Sequence, residues 1–141
     1  MKVWAYIHPQ LNILCCAVLP EAVPEGVKAI ELEVETVDDV IYDGTQIRLK
    51  TVEEKLQEEK ERKLQELKQY VESLLAQTDY VVIKFKEAEI LGQDTIALKE
   101  KYADALARRQ AIRNWNEKTK QAIKEAKTLE ELKEIKIEFE G

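Results

Sequence analysis

Two adjacent thiols, Cys15 and Cys16, and a single histidine, His8, are the residues of this chain best suited by type to metal, thiolate or general-base chemistry. Such chemistry needs them to converge, and their spacing works against it. Within the apolar run Ile13 to Leu19, neighbouring residues of a strand point to opposite faces, which suits neither a shared metal nor an easy disulfide. One histidine and two such cysteines do not complete a zinc ligand set. His8 stands beside Pro9 in a turn-forming stretch and reads as an exposed or capping side chain rather than a base. No glycine-rich phosphate loop, paired-carboxylate pocket or nucleophile–base–acid set can be assembled from the remaining residues. The many acidic residues lie at helical pairing distance from lysines, the pattern of a solvated face. The chain therefore reads as a non-enzyme, with no catalytic residue, no cofactor and no metal ligand expected.

The chemistry that is present is recognition chemistry, in two clusters. Arg108-Arg109-Gln110-Ala111-Ile112-Arg113-Asn114-Trp115-Asn116 places three arginines, a tryptophan and two asparagines on about two helical turns. Arg113 and Asn116 share a face, and Ile112 and Trp115 form the apolar pair beside it. Arginine and tryptophan are the residues of interface hot spots. The same side chains could instead act within the chain, with the arginines holding Asp79 or helix-end carbonyls and Trp115 packing beneath. The second cluster is Thr78-Asp79-Tyr80, which interrupts two charged helical segments without Gly or Pro. Thr and Asp side chains bond local backbone amides and so favour a cap or turn over helix continuation.

These clusters need elements to carry them, and composition says which. Charged residues make up 35% of the chain, above the usual quarter, and the excess of Glu and Lys gathers after residue 50, as in long exposed helices. The net charge of −6 argues against nucleic acid, whose binding needs a basic footprint. No run approaches the roughly 20 apolar residues of a membrane span, and Pro9, Gln10 and Asn12 interrupt any signal-like hydrophobic region. A cytosolic product with neither nucleic acid nor membrane as partner is expected.

The organisation reads as α+β in two parts, residues 1–50 and 51–141. The first is a small antiparallel β meander of four or five strands. Val3 to Ile7 and Ile13 to Leu19 flank a His8–Asn12 turn, and Pro20, Pro24 and Gly26 mark a loop. Ala29 to Glu35 alternates apolar and acidic residues as a half-buried strand does. Asp43-Gly44 between apolar residues signals a hairpin. So small a unit buries too little surface alone and needs a helix or a partner on its apolar face.

The second part begins at Thr51-Val52-Glu53-Glu54, a capping box, and opens a helix from Val52 to about Gln77. Leu64, Leu67, Val71 and Leu74 step 3-4-3, the heptad rhythm of a helix–helix seam, through which a dimer or trimer could form. Glu58 to Lys63 breaks that stripe and reads as a solvated bridge with pairs such as Glu59–Lys63. Beyond the corner, a short helix over Phe85 to Leu91 stops at Gly92. Asp94 or Thr95 caps a returning helix to about Lys127, completing an antiparallel helical hairpin. Thr128-Leu129-Glu130-Glu131 is a second capping box for a short C-terminal helix, and Ile137-Glu138-Phe139 either adds a strand or packs.

With those residues in view, the chain resembles the small tail proteins of bacteriophages and prophages, especially of Gram-positive hosts. The likeness rests on Leu75 to Lys84, Lys101-Tyr102-Ala103 and Arg108 to Asn116, and is strongest at Thr78-Asp79-Tyr80 and Arg113-Asn114-Trp115-Asn116. A short β unit ending in Ile41-Tyr42-Asp43-Gly44 before a charged helix is similar too. The resemblance implies a role in the tail or in tail-fibre assembly and brings no catalytic residues with it. The leading expectation is a tail-fibre assembly chaperone or adaptor in the host cytoplasm, with a tail-fibre or other tail protein as partner. A structural virion component, namely a minor tail, fibre or baseplate subunit oligomerising through its helices, is the alternative. A general interaction module outside phage biology is the third.

Overall fold

Apolar–polar alternation builds the N-terminal strands of the computed structural model, which describes residues 1–141. Strands β1 (Lys2–Ile7), β2 (Leu14–Ala17) and β3 (Ile30–Glu33) form an antiparallel sheet in the order β2-β1-β3. Its register sets Ala5 opposite Cys16 and Val3 opposite Leu32. Because side chains alternate along each strand, these four share one face. That face joins Val34 and Val40 in a small core, with Leu14 and Ile47 at its margin. A second antiparallel pair, β4 (Val40–Tyr42) and β5 (Ile47–Leu49), closes through Asp43-Gly44. Asp43 Oδ1 accepts the amides of Thr45 and Gln46, both at 2.9 Å, and Gly44 supplies the positive φ of +92°.

The strands are thus antiparallel as expected but divide between two sheets rather than running on as one meander. The connection through Pro20 and Gly26 returns the chain to the free edge of β1, so β1 takes the central position. A 3₁₀ turn at Val37–Asp39 then separates the hairpin from the first sheet. His8 acts as a turn cap: its Nδ1 accepts the amides of Gln10 at 3.2 Å and Leu11 at 3.1 Å.

Five helices follow: α1 (Val52–Ala76), α2 (Asp79–Ile90), α3 (Ile96–Lys101), α4 (Ala103–Glu125) and α5 (Leu129–Glu134). The Thr51 box is reciprocal. Glu54 donates its amide to Thr51 Oγ1 at 3.2 Å, and Thr51 donates its own to Glu54 Oε1 at 3.1 Å. The Thr128 box is shifted by one residue: Thr128 Oγ1 accepts the Glu131 amide, while Glu131 Oε2 takes the amide of Lys127.

Two helix limits differ from expectation. α2 starts at Asp79, six residues before Phe85, and carries the β-branched Val81, Val82 and Ile83. Val81 is fully buried on the same side as Ala88, seven residues on, and this burial outweighs the weak helix propensity of valine. The returning helix breaks at Tyr102 (φ −108°, ψ 20°) into α3 and α4, with the Tyr102 ring edge-on to Tyr80 at 6.0 Å. The last residues pack rather than pair: Ile135, Ile137 and Phe139 lie against the helical core.

The chain divides into two compact units, Met1–Lys55 and Leu56–Gly141. The helical unit has its own core, in which Leu67, Val71 and Leu74 of α1 meet Ile112 and Ile123 of α4 and Leu132 of α5. Glu58 to Lys63 is less solvated than its charge suggests. Lys60 and Lys63 donate to the carbonyls of Lys124 and Leu132, both at 2.8 Å, while Glu59 pairs with Arg62 rather than Lys63.

Candidate functional site

The corner between α1 and α2 is built from a helix end. The last carbonyls of α1 have no partner further along their own helix and must find donors elsewhere. Thr78 meets one locally: its amide and its hydroxyl both donate to the Leu75 carbonyl, at 3.1 and 3.3 Å. The side chain thus turns back to α1, and no cap bond forms from it to the first amides of α2. The remaining donor comes from α4. Arg109 Nη1 lies 2.8 Å from the Leu75 carbonyl, 3.0 Å from Thr78 Oγ1 and 3.0 Å from Asp79 Oδ1. Arg109 is only 7% exposed, so one buried guanidinium ties the end of α1, the corner and the start of α2 together.

This reassigns the residues singled out in the sequence. Thr78 and Asp79 do make the corner, and an arginine of the Arg108–Asn116 segment does hold it, but that arginine is Arg109. Arg113 is exposed. Trp115 does not lie beneath the corner: its ring meets Tyr70 and Phe139, each at 5.7 Å between centroids. Tyr80 faces Tyr102. The clue to Arg109 is its position, since it interrupts the buried face that continues through Ile112, Thr119 and Ile123 of α4. A charge set into an apolar stripe must be neutralised where it stands.

Asn116 belongs to a different feature. An open groove of about 430 Å³ runs along the helical unit, bordered by Leu64, Lys68 and Val71 of α1 and by Asn116 and Lys120 of α4. Leu67 lies in its floor and is nearly inaccessible. The Leu64–Leu74 seam therefore serves the chain's own core: Leu67, Val71 and Leu74 are consumed against α4 and α5, and only the flank at Leu64 is half open. That internal burial corrects the expectation of these residues as a free oligomer seam. What is left is a shallow apolar trough with amide and ammonium groups and the carboxylates of Glu61 and Glu72 on its rim, a shape suited to an amphipathic segment.

The β unit carries a polar cluster that sequence reasoning missed. Arg48 bridges Asp43 of the hairpin, through Nε at 3.0 Å, and Glu54 of the first α1 turn, through Nη1 at 2.7 Å. The guanidinium bonds, with help from the Thr51 amide, hold the Glu54 carboxyl down to about 2. Asp43 is also lowered, first by the turn amides of Gln46 and Thr45 and then by Arg48. Each acid was legible alone, in the hairpin and in the capping box. The signal for their link is Arg48, the one arginine between two motifs that each present an acid.

No three of the chain's His, Cys, Asp and Glu residues are grouped so as to hold a metal ion, and no helix is long and apolar enough to cross a membrane. No family model, curated protein or solved structure matches the chain.

Proposed function

We propose that this protein is a non-enzymatic adaptor of phage tails, a tail-fibre assembly chaperone that works in the host cytoplasm. Its trough between α1 and α4 takes an apolar segment of tail-fibre polypeptide until the fibre has assembled. The observation that carries this reading is the trough itself, with Leu64 half open in a charged surface and Lys68, Lys120 and Asn116 placed to bond a bound backbone or its acidic side chains. The setting is supported by the likeness of the Leu75–Lys84 and Arg113–Asn116 segments to phage tail proteins.

Co-expression with the fibre gene beside its own tests the proposal. Soluble, trimeric fibre should depend on this protein, and Leu64→Asp with Lys120→Glu should abolish the effect while leaving the fold intact. Fibre yield that is the same without the protein sinks the chaperone reading. A structural subunit of the virion is the second reading, favoured by the apolar outer face of α2, where Ile83, Ile90 and Leu91 are exposed. Mass spectrometry of purified particles separates the two, because stoichiometric presence supports the subunit and absence supports the chaperone.

A further inference from the structure

Beyond α5 the chain lies on the helical unit as an extended strap. The half-buried Ile135, Ile137 and Phe139 alternate with the exposed Lys136 and Glu138, the inward–outward order of a strand. Yet the segment joins no sheet, and past Ile135 no backbone–backbone bond ties it to the rest of the chain.

Its hold comes from side chains of α1 and α4. Tyr70 Oη accepts the Phe139 amide at 3.1 Å, and Arg108 Nη1 donates to the Gly141 carbonyl at 2.6 Å. The Phe139 ring is the anchor. It meets the Trp115 ring at 5.7 Å between centroids, and the Arg108 guanidinium stands 5.4 Å from its centre. Gly141 completes the fit, because a Cβ there would strike the Phe139 ring.

Two properties separate the strap from the interior beneath it. The buried core is drawn from α1, α4, α5 and Ala126, whereas Ile135, Ile137 and Phe139 pack against it and stay half-buried. A segment held by so few bonds opens at a lower free energy than the helices under it. Moreover, both polar contacts are made to main-chain atoms of the strap. They would serve any extended segment that brings an aromatic side chain to the place of Phe139. Opening uncovers Tyr70, Trp115 and Arg108, a seat shaped to an extended peptide, and none of these three lines the trough.

We propose that this seat is a peptide-docking site closed by the chain's own strap. Its partner is an extended segment with apolar residues at alternate positions, the last of them Phe, which displaces the strap. The strap is thus autoinhibitory: only open molecules bind, and the apparent affinity falls with the open fraction. This inference does not rest on the tail-fibre reading.

A peptide of residues 134–141, added in trans to the full chain, tests it. Trp4→Phe leaves Trp115 as the sole tryptophan reporter. In that background Ile137→Ser with Phe139→Ser should loosen the strap and red-shift the Trp115 emission, and saturating peptide should reverse the shift. The parent, whose strap competes, should need at least about tenfold more peptide. The same peptide carrying Phe139→Ser should not bind, and Arg108→Gln in the loosened variant should weaken binding of the intact peptide. In the wild type, the Phe139 amide should exchange its hydrogen at least about tenfold faster than the Ile112 amide. The proposal is overturned by a loosened variant that ignores the peptide, or by equal binding to parent and variant. Protection of Phe139 equal to that of Ile112 overturns it too. So does a loosened variant that fails to fold, since the strap would then belong to the core.

Discussion

Four buried residues, Val3, Ala5, Val34 and Val40, centre the β unit, whereas the helical unit buries a longer set from Leu67 to Leu132 with Tyr70, Trp115 and Phe139 packed against it. The smaller core is supplemented by an ion cluster, in which Arg48 joins a turn acid to a helix-cap acid. The larger core admits a single buried cation, Arg109, and uses it to satisfy a helix end. The contrast teaches where polar groups enter each unit. At the margin of a small core they link motifs that burial alone would hold weakly. Inside a large one they fix a direction change that packing alone would leave undetermined.

Ile112→Ala should break the helical side of this contrast most severely. Ile112 is wholly buried between α1 and α4, and such a truncation costs about 3 kcal/mol. Thermal unfolding checks it, and a loss below 1 kcal/mol would show that burial is not the chief support of this unit. Next comes Arg109→Met, which keeps the volume and removes the donor. Leaving the Leu75 carbonyl and Thr78 without it should cost about 2 kcal/mol in denaturant titrations. Asp79→Asn sharpens the point: the Asp79 side chain is more than half exposed, so losing its charge should cost under about 1 kcal/mol. Equal losses for the two variants would mean that the ion pair, not the helix-end carbonyl, is what Arg109 serves.

Thr128→Ala should cost about 1 kcal/mol by removing the N-cap of α5. The mildest test concerns the β unit and acid. Glu54 and Asp43 are both held below their ordinary values. Their contribution is therefore fully present above the unfolded Glu value near 4.5 and is lost as pH falls toward about 2. Amide resonances of Gly44 and Thr51 followed by NMR should shift within that window, and Arg48→Gln should move the transition toward the ordinary carboxylate range. Resonances of the α1–α4 core that respond first would contradict the division drawn above.

Much of this architecture was legible because its signals are local. Asp43-Gly44 names its own turn, Thr51 and Thr128 name their helix starts, and the Leu67–Leu74 spacing names a buried seam. The illegible parts depend on contacts distant in sequence. The β2-β1-β3 order follows from where a long connection returns, and no short pattern encodes that. The start of α2 at Asp79 depends on what covers Val81. At the corner, the Arg108–Asn116 segment was recognised as a partner, yet the choice of Arg109 over Arg113 turns on which face of α4 is inward. Only a helix-wide reading of buried positions decides that.

The ammonium groups of Lys60 and Lys63 donate to the carbonyls of Lys124 and Leu132 near the C-terminal ends of their helices. This makes the lysines of the chain chemically unequal. An amine-reactive reagent must draw Lys63 away from the Leu132 carbonyl before it can acylate, whereas the exposed Lys118 offers no such resistance. The ratio of label on those two residues, read by peptide mass, is therefore a built-in gauge of whether α1 and α5 are docked. It needs neither mutation nor dye.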